Sequence, residues 1–337
     1  MNDRKLKKIF EAFEDVKVLI IGDVMVDSYL WGKVSRISPE APVPIVAVDK
    51  RENRLGGAAN VALNVQALGA TPILCSVIGV DEKGSLFLEM MREQKLTNKG
   101  ILKSRGRITT VKTRVIGNNH QMLRVDEEME ETVSDHETRQ FLQLITYLLK
   151  KEKVNVVVFE DYDKGLITPD LINKVVAEAR KKKIPVVVDP KKKNFNHYRG
   201  VTLFKPNIKE LKEGLKVDFD HTDMNDLGRA VDILRNRLKI DMALITLSEM
   251  GIFVKSADVA QRLPAHIRNI SDVSGAGDTV ISTAAVCLAA GLDPVTLAAI
   301  SNLAGGLVCE EVGVVPINKN LLFQETRKLV RNRKLKG

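Results

Sequence analysis

The sequence predicts an α/β fold in which a mainly parallel β-sheet carries helices on both faces. Three observations predict it. Continuous apolar runs recur at 17–24, 71–81, 154–162, 184–190, 200–207 and 242–248, the pattern of strands buried on both faces. Stretches with helical apolar spacing fall among them, at 58–70, 84–94, 135–150, 168–183, 222–238, 276–290 and 294–310. Such alternation belongs to parallel strands joined by crossover helices. Two further stretches, 28–56 and 107–126, lack a helical period and predict a small β-layer beside the main sheet.

Each element has a local reason. The opening "MNDRKLKKIFEAFEDVK" is charged and amphipathic with no apolar core of a secretory signal, so it reads as a short surface helix. "VKVLIIGDV" (17–24) is a buried strand ending in polar groups. In 58–70, Ala59, Ala62, Leu63, Gln66 and Ala67 share one helix face and Gly69 closes it. Pro169 suits the first turn of the 168–183 helix, and Lys181 to Lys183 suit the negative end of its dipole. Residues 28–56 combine prolines with alternation, and 107–126 read as a hairpin turning at Gly117-Asn118-Asn119. With no low-complexity linker and no repeat, the chain 1–337 reads as a single domain with β-lid segments at about 28–56 and 107–126.

Composition narrows the function classes. The 337 residues are 44% hydrophobic and 28% charged, as in a soluble globular protein. No run approaches the roughly 18 apolar residues of a membrane span. Cys75, Cys287 and Cys309 lie in apolar stretches without metal-ligand spacing, which predicts buried thiols in a reducing, cytoplasmic setting. The formal charge of +9 is concentrated at 181–183, 191–193 and the C-terminal tail. Aromatics make up only 4% and do not interleave with those runs, so neither a nucleic-acid nor a membrane partner is expected. A basic balance suits phosphorylated ligands.

Open parallel sheets bind ligands at the carboxyl ends of their strands. There the sequence places Asp23 and Asp27, Asp161 and Lys164, Asp189 and Lys191, Asn207 and Glu210, and Ser248 and Glu249. The sharpest stretch is "DVSGAGDTVIS" (272–282), where small residues open an apolar helix. With Ser274 as N-cap, the amides of Gly275, Ala276 and Gly277 make a phosphate site; close helix–strand packing is the competing reading. No P-loop and no dinucleotide G-x-G-x-x-G is present. In "GGAAN" (56–60), Gly56 and Gly57 allow close backbone approach to a ligand, and Asn60 with Asp27 offers a grip on sugar hydroxyls. "KPNIKE" (205–210) spaces Asn207 and Glu210 either as a helix cap or as groups organising water around Mg²⁺.

Taken together, "GDVMVD", "GGAANVALNVQALGA", "DYDKG", "KPNIKE" and "DVSGAGDT" resemble, in order and over nearly the whole chain, the ribokinase-like (PfkB) sugar kinases. Within that family, "GDVMVDSYLWGKVSRISPEAPVPIVAV" is similar to the kinases of D-glycero-D-manno-heptose 7-phosphate, which phosphorylate O1 on the route to ADP-heptose for lipopolysaccharide. Many of those are fused to a nucleotidyltransferase; without an H-x-G-H motif, this chain is expected to be a stand-alone kinase. The resemblance implies a three-layer ribokinase-like sandwich with a small β-sheet lid, and ATP and Mg²⁺ as cofactors. It implies Asp278 as catalytic base and Gly275, Ala276 and Gly277 as the anion hole. Asn207 and Glu210 would serve the ATP–Mg²⁺ site, the latter two reaching the metal via water. Ser248, Gly251 and Asn302 lie in the segments, 246–251 and 301–306, that hold the nucleotide in the family. Asp27, Gly56, Gly57 and Asn60 would hold the sugar. Lys205 departs from the small hydroxyl residue expected before Pro-Asn, and either approaches a nucleotide phosphate or points to solvent.

For the substrate's 7-phosphate, Arg36 is the first candidate, with Arg114, Arg124 and Lys191 behind it, since arginine suits bidentate phosphate binding. The helix dipole is expected to keep Asp278 ionised. An unpaired lid edge predicts a homodimer formed through the β-lid. The rivals are another sugar kinase of this fold, acting on ribose, fructose or a fructose phosphate, and a sugar sensor without turnover. Asp278, Asn207 and Glu210 together weigh against the sensor.

Overall fold

The apolar runs lie side by side as one nine-stranded sheet. The structure, a computed structural model, describes residues 2–266 and 269–331. In chain order its elements are α1 (Asp3–Ala12), β1 (Lys17–Gly22), β2 (Val24–Ile37), β3 (Pro44–Gly57), α2 (Ala58–Ala67), β4 (Thr71–Gly79), α3 (Glu82–Glu93), β5 (Gly100–Ser104), β6 (Val111–Gly117), β7 (His120–Glu127), α4 (Asp135–Lys151) and β8 (Val156–Glu160). These are followed by α5 (Pro169–Lys181), β9 (Val186–Asp189), β10 (Leu203–Phe204), α6 (Ile208–Leu215), α7 (Met224–Leu238), β11 (Met242–Thr246), β12 (Ile252–Lys255), β13 (Ala260–Leu263), α8 (Ala276–Ala289), α9 (Pro294–Val308) and α10 (Lys319–Arg331).

The main sheet runs β13-β12-β11-β10-β9-β8-β1-β4-β5. It is parallel from β11 to β5, and β12 and β13 add an antiparallel edge. Its strands are apolar throughout because both faces are covered, and successive side chains alternate between two cores. In β1, Val18 and Ile20 pack into the core that includes residues of α2, α8 and α9, whereas Leu19 and Ile21 pack into the core that includes residues of α4, α5 and α7. Val156 and Val158 of β8 divide from Val157 and Phe159 in the same way. The result is the three-layer ribokinase-like α/β architecture.

A second sheet, ordered β3-β2-β6-β7, is built from the two stretches without helical period. β2 leaves the end of β1 after Asp23 alone, pairs antiparallel with β3 and parallel with β6. The β6–β7 hairpin turns on Asn118 and Asn119, at φ 51° and 65°; two successive left-handed residues match the twist of a two-residue hairpin, and asparagine tolerates them.

Several elements escaped the sequence pattern for physical reasons. Within 200–207 the continuous strand is only Leu203–Phe204, because Pro206 has no N–H for the ladder; Asn207 adds an isolated bridge to Thr246 before it caps α6. The short β5 and β13 are the two edge strands, where exposed residues dilute the apolar signal, and β12 is only four residues long. α10 reads as a charged tail, yet it buries Leu322, Thr326 and Val330. The opening helix is also more than a surface feature, since Leu6 and Phe10 are buried. Cys75 and Cys287 are buried free thiols, and burial pushes both thiols up. Among the described residues no helix is long and apolar enough to cross a membrane.

Ile20 is fully buried in the middle of the sheet. Ile20→Ala should cost about 2–5 kcal/mol, read as a lower urea midpoint with the denaturation slope unchanged.

Candidate active site

Three neighbouring strands, β8, β9 and β10, deliver the central charges. Glu160 ends β8 and is the register partner of Asp189, which ends β9. Phe204 pairs with Val188, so Lys205 emerges next in line. α8 then lays its first turn over these strand ends. One carboxylate oxygen from each of Glu160, Asp189 and Asp278 lies within 4.8 Å of the others, and all three residues are buried. Lys205, only 3% exposed, places Nζ 2.7 Å from Asp189 Oδ2. This settles the sequence ambiguity: Lys205 does not point to solvent.

The electrostatics follow from burial. Desolvation, then repulsion from Asp189 and Asp278, raises the Glu160 carboxyl well above the usual carboxylate range. Burial also raises Asp278, to about 6, against hydrogen bonds from Asn60 and Tyr162 and the charge of Lys205. Loss of water thus lifts Asp278 above the usual carboxylate range, yet a carboxyl near 6 is still mostly ionised at neutral pH. Burial opposes the charge on Lys205, but Asp189, Glu210 and Glu160 outweigh it and its pKa is raised.

Asp278 is held at both oxygens. Asn60 Nδ2 donates to Oδ2 at 2.7 Å, and the Tyr162 hydroxyl donates to Oδ1 at 2.9 Å. Asn60, expected against the sugar, thus spends Nδ2 on Asp278. Behind it, Asn64 Nδ2 donates to the Asn60 carbonyl at 3.0 Å, and Asn64 Oδ1 accepts from Thr279 Oγ1 at 3.1 Å and from the Ile317 amide at 3.0 Å. A buried, satisfied network of this kind fixes one geometry.

The first turn of α8 differs from the sequence expectation at two points. Its N-cap is Gly275, at φ 77° and with no side-chain cap, rather than Ser274; the left-handed backbone there favours glycine. The Ser274 amide instead donates to Asp272 Oδ1 at 2.9 Å. Of the three cradle amides, that of Ala276 is spent on the Val273 carbonyl at 3.3 Å. The amides of Gly275 and Gly277 have no protein acceptor among the described residues. A Cβ on Gly277 would lie 3.8 Å from Lys205 Nζ and 3.9 Å from Asp189 Oδ2, so helix turn, ammonium and carboxylates face one space.

Two cavities flank the segment 270–277. One, of about 380 Å³, is lined by Thr246, Ser248, Gly251, Ala276, Gly277 and Asn302 among mainly apolar neighbours. It brings together residues 248, 251 and 302 as the resemblance implied. Asn302 Nδ2 also donates to the Pro264 carbonyl at 2.8 Å. The other, of about 300 Å³, lies under the small sheet and is bordered by Ser271, Asp272 and Ser274. Asp27 is buried near it, with Oδ1 accepting from Arg114 Nη1 at 2.6 Å.

Gly56 and Gly57 approach their own chain. A Cβ on Gly56 would meet Asp27 Oδ2 at 2.1 Å, and one on Gly57, at φ 60°, would meet the Asp23 carbonyl at 2.5 Å. Asn207 and Glu210 form a reciprocal capping box, with the Glu210 amide donating to Asn207 Oδ1 at 2.8 Å and the Asn207 amide to Glu210 Oε2 at 2.9 Å. Glu210 Oε1 takes Lys191 Nζ at 2.6 Å, and Lys191 lies 5.6 Å above the Tyr162 ring. Lys191 is therefore placed beside Glu210, with Nζ also 4.0 Å from Asp189 Oδ1. Arg36 is exposed nine residues beyond Asp27 along β2, roughly 30 Å at strand rise. Arg124 sits opposite Arg114 in the ladder but is exposed and turned to Asp126, with Nε 2.9 Å from Oδ1. Asp23 and Asp161, plausible site groups in sequence, are structural. Asp23 accepts the amides of Tyr162, Lys164 and Leu166, and Asp161 accepts Tyr198 and Asn194. The sequence reading passed over Glu160 and Tyr162, whose signal was one polar residue on either side of Asp161.

The family model for pfkB family carbohydrate kinases matches residues 15–320. The chain belongs to the PfkB carbohydrate kinases. Membership makes it an ATP-dependent sugar kinase. Its similar relatives include the bifunctional protein HldE of Magnetococcus marinus, 39% identical over 94% of this chain and 65% of that protein. Another is the bifunctional protein HldE of a Caulobacter species, 40% identical over 92% of this chain and 63% of that protein. The chain thus spans just under two thirds of the length of these two relatives. Among solved structures, the tetrameric inhibited form of phosphofructokinase-2 from Escherichia coli shares the fold at TM-score 0.77 and 15% identity, over 94% of this chain and 99% of that one. Arabidopsis thaliana ribokinase complexed with ribose and ATP does so at 0.70 and 15%, over 92% and 99%.

Lys205→Met in this PfkB kinase removes the nearer of the two ammoniums beside buried Asp189 and leaves only Lys191, 4.0 Å from Oδ1. It should destabilise the fold by about 3–5 kcal/mol near neutral pH. The loss should shrink on acidification, as the orphaned carboxylates take up protons, in urea titrations at several pH values.

Proposed function

We propose that this kinase transfers the γ-phosphoryl group of ATP to O1 of D-glycero-D-manno-heptose 7-phosphate, giving the 1,7-bisphosphate. The observation that carries the reading is the position of Asp278. It lies at the start of the helix whose N-terminal segment separates the two cavities, one mainly apolar and one lined by arginines and aromatics. The first suits a nucleobase; the second suits a phosphorylated acceptor. The choice of heptose rests on the resemblance of residues 22–48 and on the relatives of the HldE type. An acceptor such as a fructose phosphate is the second reading, since the same base and cradle would serve it.

In this scheme Asn60 and Tyr162 fix the Asp278 carboxylate, which orients the acceptor hydroxyl and takes its proton. The reacting alcohol is far less acidic than a carboxyl group near 6, so proton transfer comes late and Asp278 serves first as an aligning acceptor. The amides of Gly275 and Gly277 face the equatorial phosphoryl oxygens, and Lys205 supplies a fixed positive charge to the same space. Ser248, Gly251 and Asn302 line the nucleotide side. Asp27, positioned by Arg114 and given room by Gly56, lies on the sugar side.

The donor set fits Mg²⁺. Glu160 Oε2 and Asp189 Oδ1 are buried without a hydrogen-bond partner among the described residues, and hard carboxylate oxygens suit that ion. Glu160 and Asp189 would hold it, with Glu210 and Asn207 contributing through water. When bound, it would neutralise phosphate charge. The small sheet would act as a lid over the sugar, excluding water from the transfer. A homodimer through that sheet belongs to the same reading: β7 is exposed along its whole length, and Met122, Leu123 and Val125 present apolar surface there.

Asp278→Asn should lower kcat about 10²–10⁴-fold while leaving ATP affinity by calorimetry near that of the parent. Because the acting form is the ionised carboxylate, kcat/KM should hold steady above pH 6 and fall as pH drops through about 6. An ATP-consumption screen with heptose 7-phosphate, fructose 6-phosphate, fructose and ribose tests the substrate. Turnover of another acceptor without heptose 7-phosphate defeats the heptose assignment.

A further inference from the structure

The cavity under the small sheet holds an arrangement that the catalytic centre does not use and that shares only Arg114 with the Asp27 side. Its wall carries Tyr29, Trp31, Arg54, Arg114, Asn119 and Gln121. Arg54 and Arg114 approach the Tyr29 ring with Cζ 5.0 Å and 5.3 Å from its centroid. Trp31 stacks on the same ring at 6.0 Å. Tyr29 is only 3% exposed, yet its hydroxyl has no partner, and neither does the buried Nε1 of Trp31. Two donors are therefore buried at one cavity with nothing to receive them, a costly state that a ligand relieves.

The arginines are anchored but not exhausted. Arg54 gives Nε to Glu52 Oε1 at 2.7 Å and Nη1 to the Val314 carbonyl at 3.2 Å. Arg114 gives Nη1 to Asp27 Oδ1 at 2.6 Å, with a longer approach to the Lys112 carbonyl at 3.5 Å. Arg54 Nη2 and the Nε and Nη2 of Arg114 have no protein acceptor among the described residues. The one other carboxylate on the wall, Asp272, is already engaged: Oδ1 accepts the Ser274 amide at 2.9 Å and Oδ2 the Gly313 amide at 2.9 Å. Gly313 is what lets Arg54 in, because a Cβ there would lie 2.5 Å from its Nη1.

We propose that this cavity is the subsite for a phosphomonoester at the far end of the acceptor sugar. Arg54 and Arg114 hold its oxygens, and the Tyr29 hydroxyl and Trp31 indole N–H complete the shell. The site rests on the reading that the acceptor is a sugar phosphate. A tetrahedral dianion with three terminal oxygens matches donors arriving from several sides of one ring, whereas a planar carboxylate has two oxygens to offer. Arg114 joins this subsite to the sugar site through Asp27. Residues 271–274 join it to the turn that precedes Asp278, so an acceptor spanning from Asp278 to Arg54 is read at both ends. Of the basic residues favoured by sequence, Arg114 lines this cavity, whereas Arg36, Arg124 and Lys191 do not, and Arg54 is the partner the sequence reading missed.

The test is steady-state kinetics of the full chain with Arg54→Gln and Tyr29→Phe. The acceptors are heptose 7-phosphate, fructose 6-phosphate, their dephosphorylated forms and a six-carbon sugar acid. Tyr29→Phe removes only an unpartnered hydroxyl and leaves the fold intact, so it stands if Arg54→Gln proves unstable. For whichever phosphorylated acceptor is used, Arg54→Gln should raise KM about tenfold or more and Tyr29→Phe several-fold, with kcat and the KM for ATP little changed. KM for the dephosphorylated acceptor should not respond. If heptose 7-phosphate is inert but another sugar phosphate shows this dependence, the subsite stands and the heptose assignment falls. Unchanged KM in both variants overturns the subsite even if heptose 7-phosphate is the substrate. Preference for the dephosphorylated sugar or the sugar acid in the parent enzyme overturns it as well.

Discussion

A buried ammonium, Lys205 against Asp189, makes the centre of this molecule possible. Parallel strands that end in register bring their terminal side chains together, so Glu160 and Asp189 are neighbours by construction. When α8 adds Asp278, three carboxylates share one buried space. Like charges out of water repel strongly, and the ladder keeps the backbones of Glu160 and Asp189 side by side. Lys205 emerges from the next strand of the same sheet and supplies the opposing charge inside the cluster. Its effect reaches Asp278, where it works with Asn60 and Tyr162 against desolvation.

The segment 270–277 divides its residues between the two cavities that the proposed function assigns to nucleotide and acceptor. It lies against the nucleotide-side cavity with Val273, Ala276 and Gly277 and against the acceptor side with Ser271, Asp272 and Ser274. Gly275, in the left-handed region, lets one strand of backbone serve both. In the proposed function the carboxylate of Asp278 and the amides of Gly275 and Gly277 serve different partners. Conformational economy appears again at Gly56, where the absence of a side chain leaves room for Asp27.

Much of the fold was legible because strands buried on both faces must be apolar throughout and their crossover helices must be amphipathic. The β6–β7 turn was legible from Asn118 and Asn119, residue types that accept left-handed backbone. The start of α8 stood out for small residues opening an apolar helix with Asp278 in its first turn. What escaped was whatever depends on register between distant strands. Glu160 is adjacent in sequence to Asp161, yet one enters the charge cluster and the other anchors Tyr198 and Asn194. Arg36 and Arg54 look alike as basic residues in β-rich sequence, but the pairing of β2 with β3 places Arg54 opposite Asp27 and Arg36 at the exposed far end. Lys205 was ambiguous because only the closeness of Asp189 decides where it points.

The most direct test is to follow Asp278 itself by carbon-detected NMR of its carboxyl group, with Asp278→Asn to assign the signal. In the parent protein the titration should centre near 6. In Lys205→Met it should move upward, because a neighbouring positive charge that favours the ionised form has gone. A midpoint in the ordinary carboxylate range in the parent, or one that does not move when Lys205 is replaced, would contradict the account.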